Sequence, residues 1–172
     1  MFLLCRTASM RPARLAPLLL AAAFAVQAQT GTDAALEARL QWAERQAAAN
    51  PRDAQARFLV GVVLMDLRRD AEAMARFQEL AQEFPELPDP QNNIALLHAR
   101  AGRLEAARVA LETALRNDPA HRLARMNLGQ VHLMLAVQAW EQAAAAGPLE
   151  PATQRMLEGA RALLGVRPLA AR

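Results

Sequence analysis

Residues in this chain recur at a fixed step of 34. Pro119 lies 34 positions after Pro85, and Pro85 lies 34 after Pro51. Ile94 falls on Val60, Ala95 on Gly61, Ala107 on Ala73, Leu111 on Phe77 and Ala114 on Leu80. One step forward, Leu128, Gly129 and His132 fall on Ile94, Ala95 and His98. This constrains the fold more than composition does. Each copy must be one supersecondary unit, and a unit this small buries its apolar face only by stacking on its neighbours.

The stretch 88–119 shows what the unit is. Ile94, Leu97 and Ala101 share one helical face, and Leu104, Ala107, Leu111 and Ala114 share another, at three- and four-residue spacing. Gly102 stands between them, where a left-handed residue ends a helix. Asp89-Pro90 is expected to open the pair as cap and first-turn proline, and Asn117-Asp118-Pro119 to close it. Gly61, Ala95 and Gly129 on first helices, with Ala73 and Ala107 on second ones, are expected to let antiparallel helices approach closely. No run of alternating β-branched residues supports a strand. The fold class is all-α.

A 34-residue helical hairpin with small residues at two positions and a closing proline resembles the tetratricopeptide repeat. The resemblance covers about residues 33–151. It implies a right-handed superhelical α-solenoid with capping helices at both ends, whose first helices line a concave groove. The expected domain spans 29–165: a capping helix 33–49, repeat one 53–85, repeat two 88–119, a degenerate repeat three 121–149 and a capping helix 151–164, before a tail 166–172. Thr32 or Asp33 is expected to cap the first helix, and Asp53 the next. Trp42 is expected to pack across onto the following helix, with a recognition role as the alternative. Arg68-Arg69-Asp70 replaces the usual glycine turn and reads as solvated. In repeat three, Ala139, Ala143 and Ala146 fit the second-helix register only after a two-residue deletion. A hairpin turning near 135–137 is favoured there over one long bent helix.

Residues 1–28 carry Arg6, Arg11 and Arg14, no acid, an apolar run from Leu15 to Ala25, and Val26-Gln27-Ala28. This pattern reads as a secretory leader cleaved after Ala28, with an uncleaved membrane anchor as the alternative. The expected location is exported, in the periplasm. Cleavage would remove Cys5, the only cysteine, and leave no thiol chemistry. It also changes the charge. The 20 basic residues are all arginine against 17 acids, and three arginines lie in the leader. The remainder balances at 17 against 17, so a nucleic-acid partner is not expected.

No nucleophile arrangement or phosphate loop is present, so neither an enzyme, a small-molecule substrate nor a cofactor is expected. His98 and His132 share a register position, but stacked repeats would hold them about 10 Å apart, too far for one metal ion. The resemblance places Phe58, Val62, Met65, Asn92, Leu96, Arg100, Met126 and Gln130 in the groove. The expected partner is a protein or peptide segment, seated on Phe58, Leu96 and Met126, with Asn92 and Gln130 bonding its backbone. Phe58→Asp or Leu96→Asp is expected to abolish capture with the fold intact. A self-associating structural module is the alternative, since an imperfect end repeat can pair with its own copy.

Overall fold

The computed structural model describes residues 16–165. Seven helices follow in order: α1 Ala16–Ala49, α2 Ala54–Asp66, α3 Asp70–Glu83, α4 Pro88–Arg100, α5 Leu104–Asn117, α6 Arg122–Ala146 and α7 Pro151–Leu163. No strand occurs among the described residues. Each helix packs chiefly on the next, and α4 also touches α6, which is the pattern of a stack of hairpins. The pairs α2–α3 and α4–α5 are repeats one and two.

The local signals explain most boundaries. Asp53 caps α2, its Oδ1 accepting from the backbone N–H of Gln55 at 2.9 Å and of Ala56 at 3.1 Å. Pro88 begins α4, with Leu87 as the N-cap residue. Asp89 therefore sits inside the first turn instead of capping it. It meets His121 Nε2 at 3.1 Å, while His121 Nδ1 accepts from the Ala124 N–H at 3.1 Å. His121 thus caps α6 and ties it to the start of α4.

Gly102 has φ 72°, as its place between two stripes requires. Arg68, one step of 34 earlier, takes φ 60° with a side chain attached. A non-glycine residue in that region is strained by roughly 1 kcal/mol or more. Arg68→Gly is expected to raise stability by up to about 1 kcal/mol in urea denaturation, net of the freedom glycine adds to the unfolded chain. A lower midpoint would mean that the arginine side chain contributes more than its backbone costs.

One core runs from α1 to the first half of α6. Phe77, Leu80, Leu111 and Val63 are its largest sealed apolar side chains. A smaller second cluster joins Val137 to Leu157 and Ala160, with Leu133 and Trp140 against it. Arg161 Nη2 donates to Glu141 Oε1 at 2.7 Å across the same pair of helices.

The expectations for the first helix and for repeat three change. The helix expected over 33–49 starts at Ala16, so neither Thr32 nor Asp33 begins it. Residues 1–15 and 166–172 of the expected leader and tail lie outside the described residues. The favoured hairpin in repeat three is replaced by α6, 25 residues without a break. From Leu133 to Ala146 there is no glycine or proline, and alanine-rich sequence favours continued helix. The helix that follows is α7, opened by Pro151 at its first position, and it packs on the second half of α6 only.

The close-approach reading holds at Gly61 and fails at Gly129. A Cβ on Gly61 would stand 2.6 Å from the Phe77 ring. A Cβ on Gly129 would meet nothing within 4 Å, because no second helix returns over it.

Candidate functional site: the first-helix face

Side chains of α2, α4 and α6 that point away from α3 and α5 form the face expected to be the groove. Its apolar character is uneven. Met126 is 60% exposed and Leu123 52%. Phe58, Val62 and Leu96 are half-buried and flank the core. Two hollows mark this face. The first, about 550 Å³, lies between α1 and α2, with Trp42, Gln46, Gln55, Phe58 and Val62 in its wall. The second, about 220 Å³, lies between α4 and α6, walled by Leu96, Ala99, Arg100, Gln130 and Met134.

Three of the expected groove residues do other work. Met65 is buried in the core. Asn92 is only 2% exposed, and Asn127 Nδ2 donates to its Oδ1 at 2.8 Å. An amide sealed between two first helices cannot also bind a peptide backbone. Asn92 instead fixes the step from repeat two to repeat three. The 35-residue spacing of the two asparagines, one more than the repeat, is the only sequence trace of that pair. Arg100 Nη1 donates to Asp70 Oδ1 at 3.2 Å and approaches the Met65 carbonyl at 3.4 Å. It links repeat two to the turn of repeat one. The turn read as solvated is thus partnered: Arg69 also donates to both Glu72 oxygens, at 2.7 and 2.6 Å.

Phe58, Val62, Leu96, Met126 and Gln130 remain on the face, and Trp42 joins them. Trp42, expected to pack across onto the following helix, stands opposite α2 and is 50% exposed at the rim of the first hollow. Phe58 is both wall and core, its ring tilted against Phe77 with centroids 5.4 Å apart. A larger hollow, about 640 Å³, lies elsewhere, where α1 meets α2 and α3. The ion pairs Arg57–Glu83 and Arg76–Glu79 line it, which suits a hydrated surface better than an apolar ligand.

The histidines share a register position but not an environment. His98 is half-buried, and Arg103 Nε donates to its Nδ1 at 3.0 Å. Burial, and secondarily the Arg103 guanidinium, hold the His98 imidazole below the ordinary histidine range, so it stays neutral. His132 is exposed. Among the described residues, no group of three or more His, Cys, Asp or Glu side chains could hold a metal ion.

A sequence profile of the tetratricopeptide repeat matches residues 20–88 and 92–151, three-quarters of the chain. No curated protein matches the sequence. Among solved structures, a "Crystal structure of MamA" aligns with a TM-score of 0.53 at 15% identity, covering 81% of this chain and 84% of that one. A "Crystal structure of MamA protein" gives 0.52 at 15% identity, over 81% and 79%. The "Structure of Naa15/Naa10 bound to HypK-THB" gives 0.53 at 18% identity, over 85% of this chain but 23% of that one. At these identities the likeness is one of fold. Among the described residues, no helix is long and apolar enough to cross a membrane.

Proposed function

Because the chain belongs to the tetratricopeptide repeat family, a scaffold for protein–protein interaction, we propose that its first-helix face binds a segment of another protein as an adaptor or assembly factor in the periplasm. The observation that carries the reading is the exposed apolar surface on that face: Met126 at 60%, Trp42 at 50%, and Leu96 and Phe58 half-open beside them. Large apolar side chains grouped around concave hollows mark interaction sites more often than scattered ones do. Export rests on the leader pattern of residues 1–28.

The chemistry of the face narrows the partner. Arg100, the cation expected in the groove, is engaged by Asp70, and lysine is absent from the sequence, which disfavours a carboxylate tail as the ligand. The partner segment is apolar, with one side chain entering the Trp42–Phe58 hollow and another lying on Leu96 and Met126. Gln130 supplies the hydrogen bond that Asn92 cannot. Met126 and Met134 are unbranched and fit side chains of several shapes.

Met126→Asp is the variant to use. The side chain is mostly in water, so its replacement should change stability by no more than about 0.5 kcal/mol. Envelope extract passed over the full chain is expected to yield one partner that the Met126→Asp chain fails to retain. Equal retention by both would place binding on another surface.

A further inference from the structure

One helix face that both regular repeats cover is bare on α6. On α4, the positions Ile94, Ala95 and His98 lie against α5, and the first two are buried. Their counterparts on α6 are Leu128, Gly129 and His132, of which Gly129 and His132 are exposed. The segment that matches this face is in the same chain. Ala139, Ala143 and Ala146 stand in the register of Ala107, Leu111 and Ala114, less two residues, and all three are exposed. Because α6 runs unbroken through 135–137, it carries them away from the surface they fit.

α7 does not substitute for them. It covers Leu133, Val137 and Trp140, about a third of a turn round the helix from the bare face. At 100° per residue, Leu128, His132, Ala139, Ala143 and Ala146 fall within an arc of about 60°. Arg125 falls at the edge of the same arc in the first turn of α6, and from Leu128 to Ala146 the line carries no arginine or carboxylate.

We propose that this face joins two copies of the chain. The second half of α6 in one copy lies antiparallel on the first half of α6 in the other, so each supplies the return helix that the other's third repeat lacks. Gly61 meets Phe77 in repeat one, and the equivalent pair is Gly129 with Ala143. That pairing puts the twofold axis near residue 136, close to the middle of a helix running from Arg122 to Ala146. The contact is isologous and continues the α4–α5 seam by one repeat. A second copy is favoured over a foreign helix because the complementary stripe already exists here, in register, with no way to fold back in cis. Met126 and Gln130 lie on the far side of α6 and stay free for a partner.

The test uses the full chain with Cys5→Ser throughout. One preparation carries Gly129→Cys, a second Ala143→Cys, and the two are mixed and oxidised. In the antiparallel pair, 129 faces 143 of the other copy, whereas like positions stand about 20 Å apart, beyond disulfide reach. The expected result is a covalent dimer from the mixture and little from either chain alone. Ala143→Glu, at an exposed position, should keep its helicity yet sediment as a monomer where the parent sediments as a dimer. A monomeric parent, a dimer untouched by Ala143→Glu, or an internal disulfide in a chain carrying both cysteines would each overturn the proposal. The last would show the third hairpin closing on itself.

Discussion

Gly61→Ala is expected to lower stability by about 1–3 kcal/mol, although alanine is the better helix former by about 1 kcal/mol. The new methyl would stand 2.6 Å from Phe77, a ring with no exposed surface and no room to retreat. Repeat two contains the relieved version of the same contact: Ala95 there faces the register of Leu111, and both are buried. Adding Phe77→Leu to Gly61→Ala should therefore cost less than the two single losses summed, an expected coupling of about 1 kcal/mol. Gly129→Ala, in the same register, should have the opposite sign and gain up to about 1 kcal/mol, because no atom lies within 4 Å of the added Cβ. Chemical denaturation of the four variants measures all of this. If Gly61→Ala and Gly129→Ala shifted the midpoint alike, the close α2–α3 approach or the open face of α6 would be wrong.

Phe58→Asp is expected to lower stability by about 2–4 kcal/mol. The substitution removes a tilted ring pair with Phe77, about 0.5–1.5 kcal/mol, together with the buried part of the ring. It also sets a carboxylate against the edge of the core that runs through Phe77 and Val60. Loss of partner capture by this variant would then report unfolding as much as a damaged groove. Thermal melting followed by circular dichroism separates the two. A melting curve unchanged from the parent would show that Phe58 belongs to the face alone.

The repeat, its helices and most of their ends were legible in the sequence, because a fixed 34-residue period fixes which faces meet. Gly102 and Asp53 behave as their chemistry requires. What could not be read depends on what lies across from a residue. Register alone places Asn92 with Phe58 and Met126 on one face. Only the neighbouring helix, with Asn127 one position out of register, decides that the amide is sealed and bonded. Arg100 likewise reads as a free groove cation until Asp70 of the preceding turn is seen beside it. The third repeat misled for a different reason. Its alanines fit a second-helix pattern, but a helix stops only at a residue that stops it, and none stands between Leu133 and Ala146. Trp42 was half legible: an aromatic on a capping helix was visible, its exposure was not.

A titration of the captured partner segment against three forms of the full chain locates the binding surface. The parent should bind, Met126→Asp should weaken binding at least tenfold, and Val109→Asp should leave it unchanged. Val109 is 50% exposed on α5, so it tests an equally open apolar residue away from the first-helix face. Weakening by Val109→Asp with no effect of Met126→Asp would contradict the account and move the binding surface to the second helices.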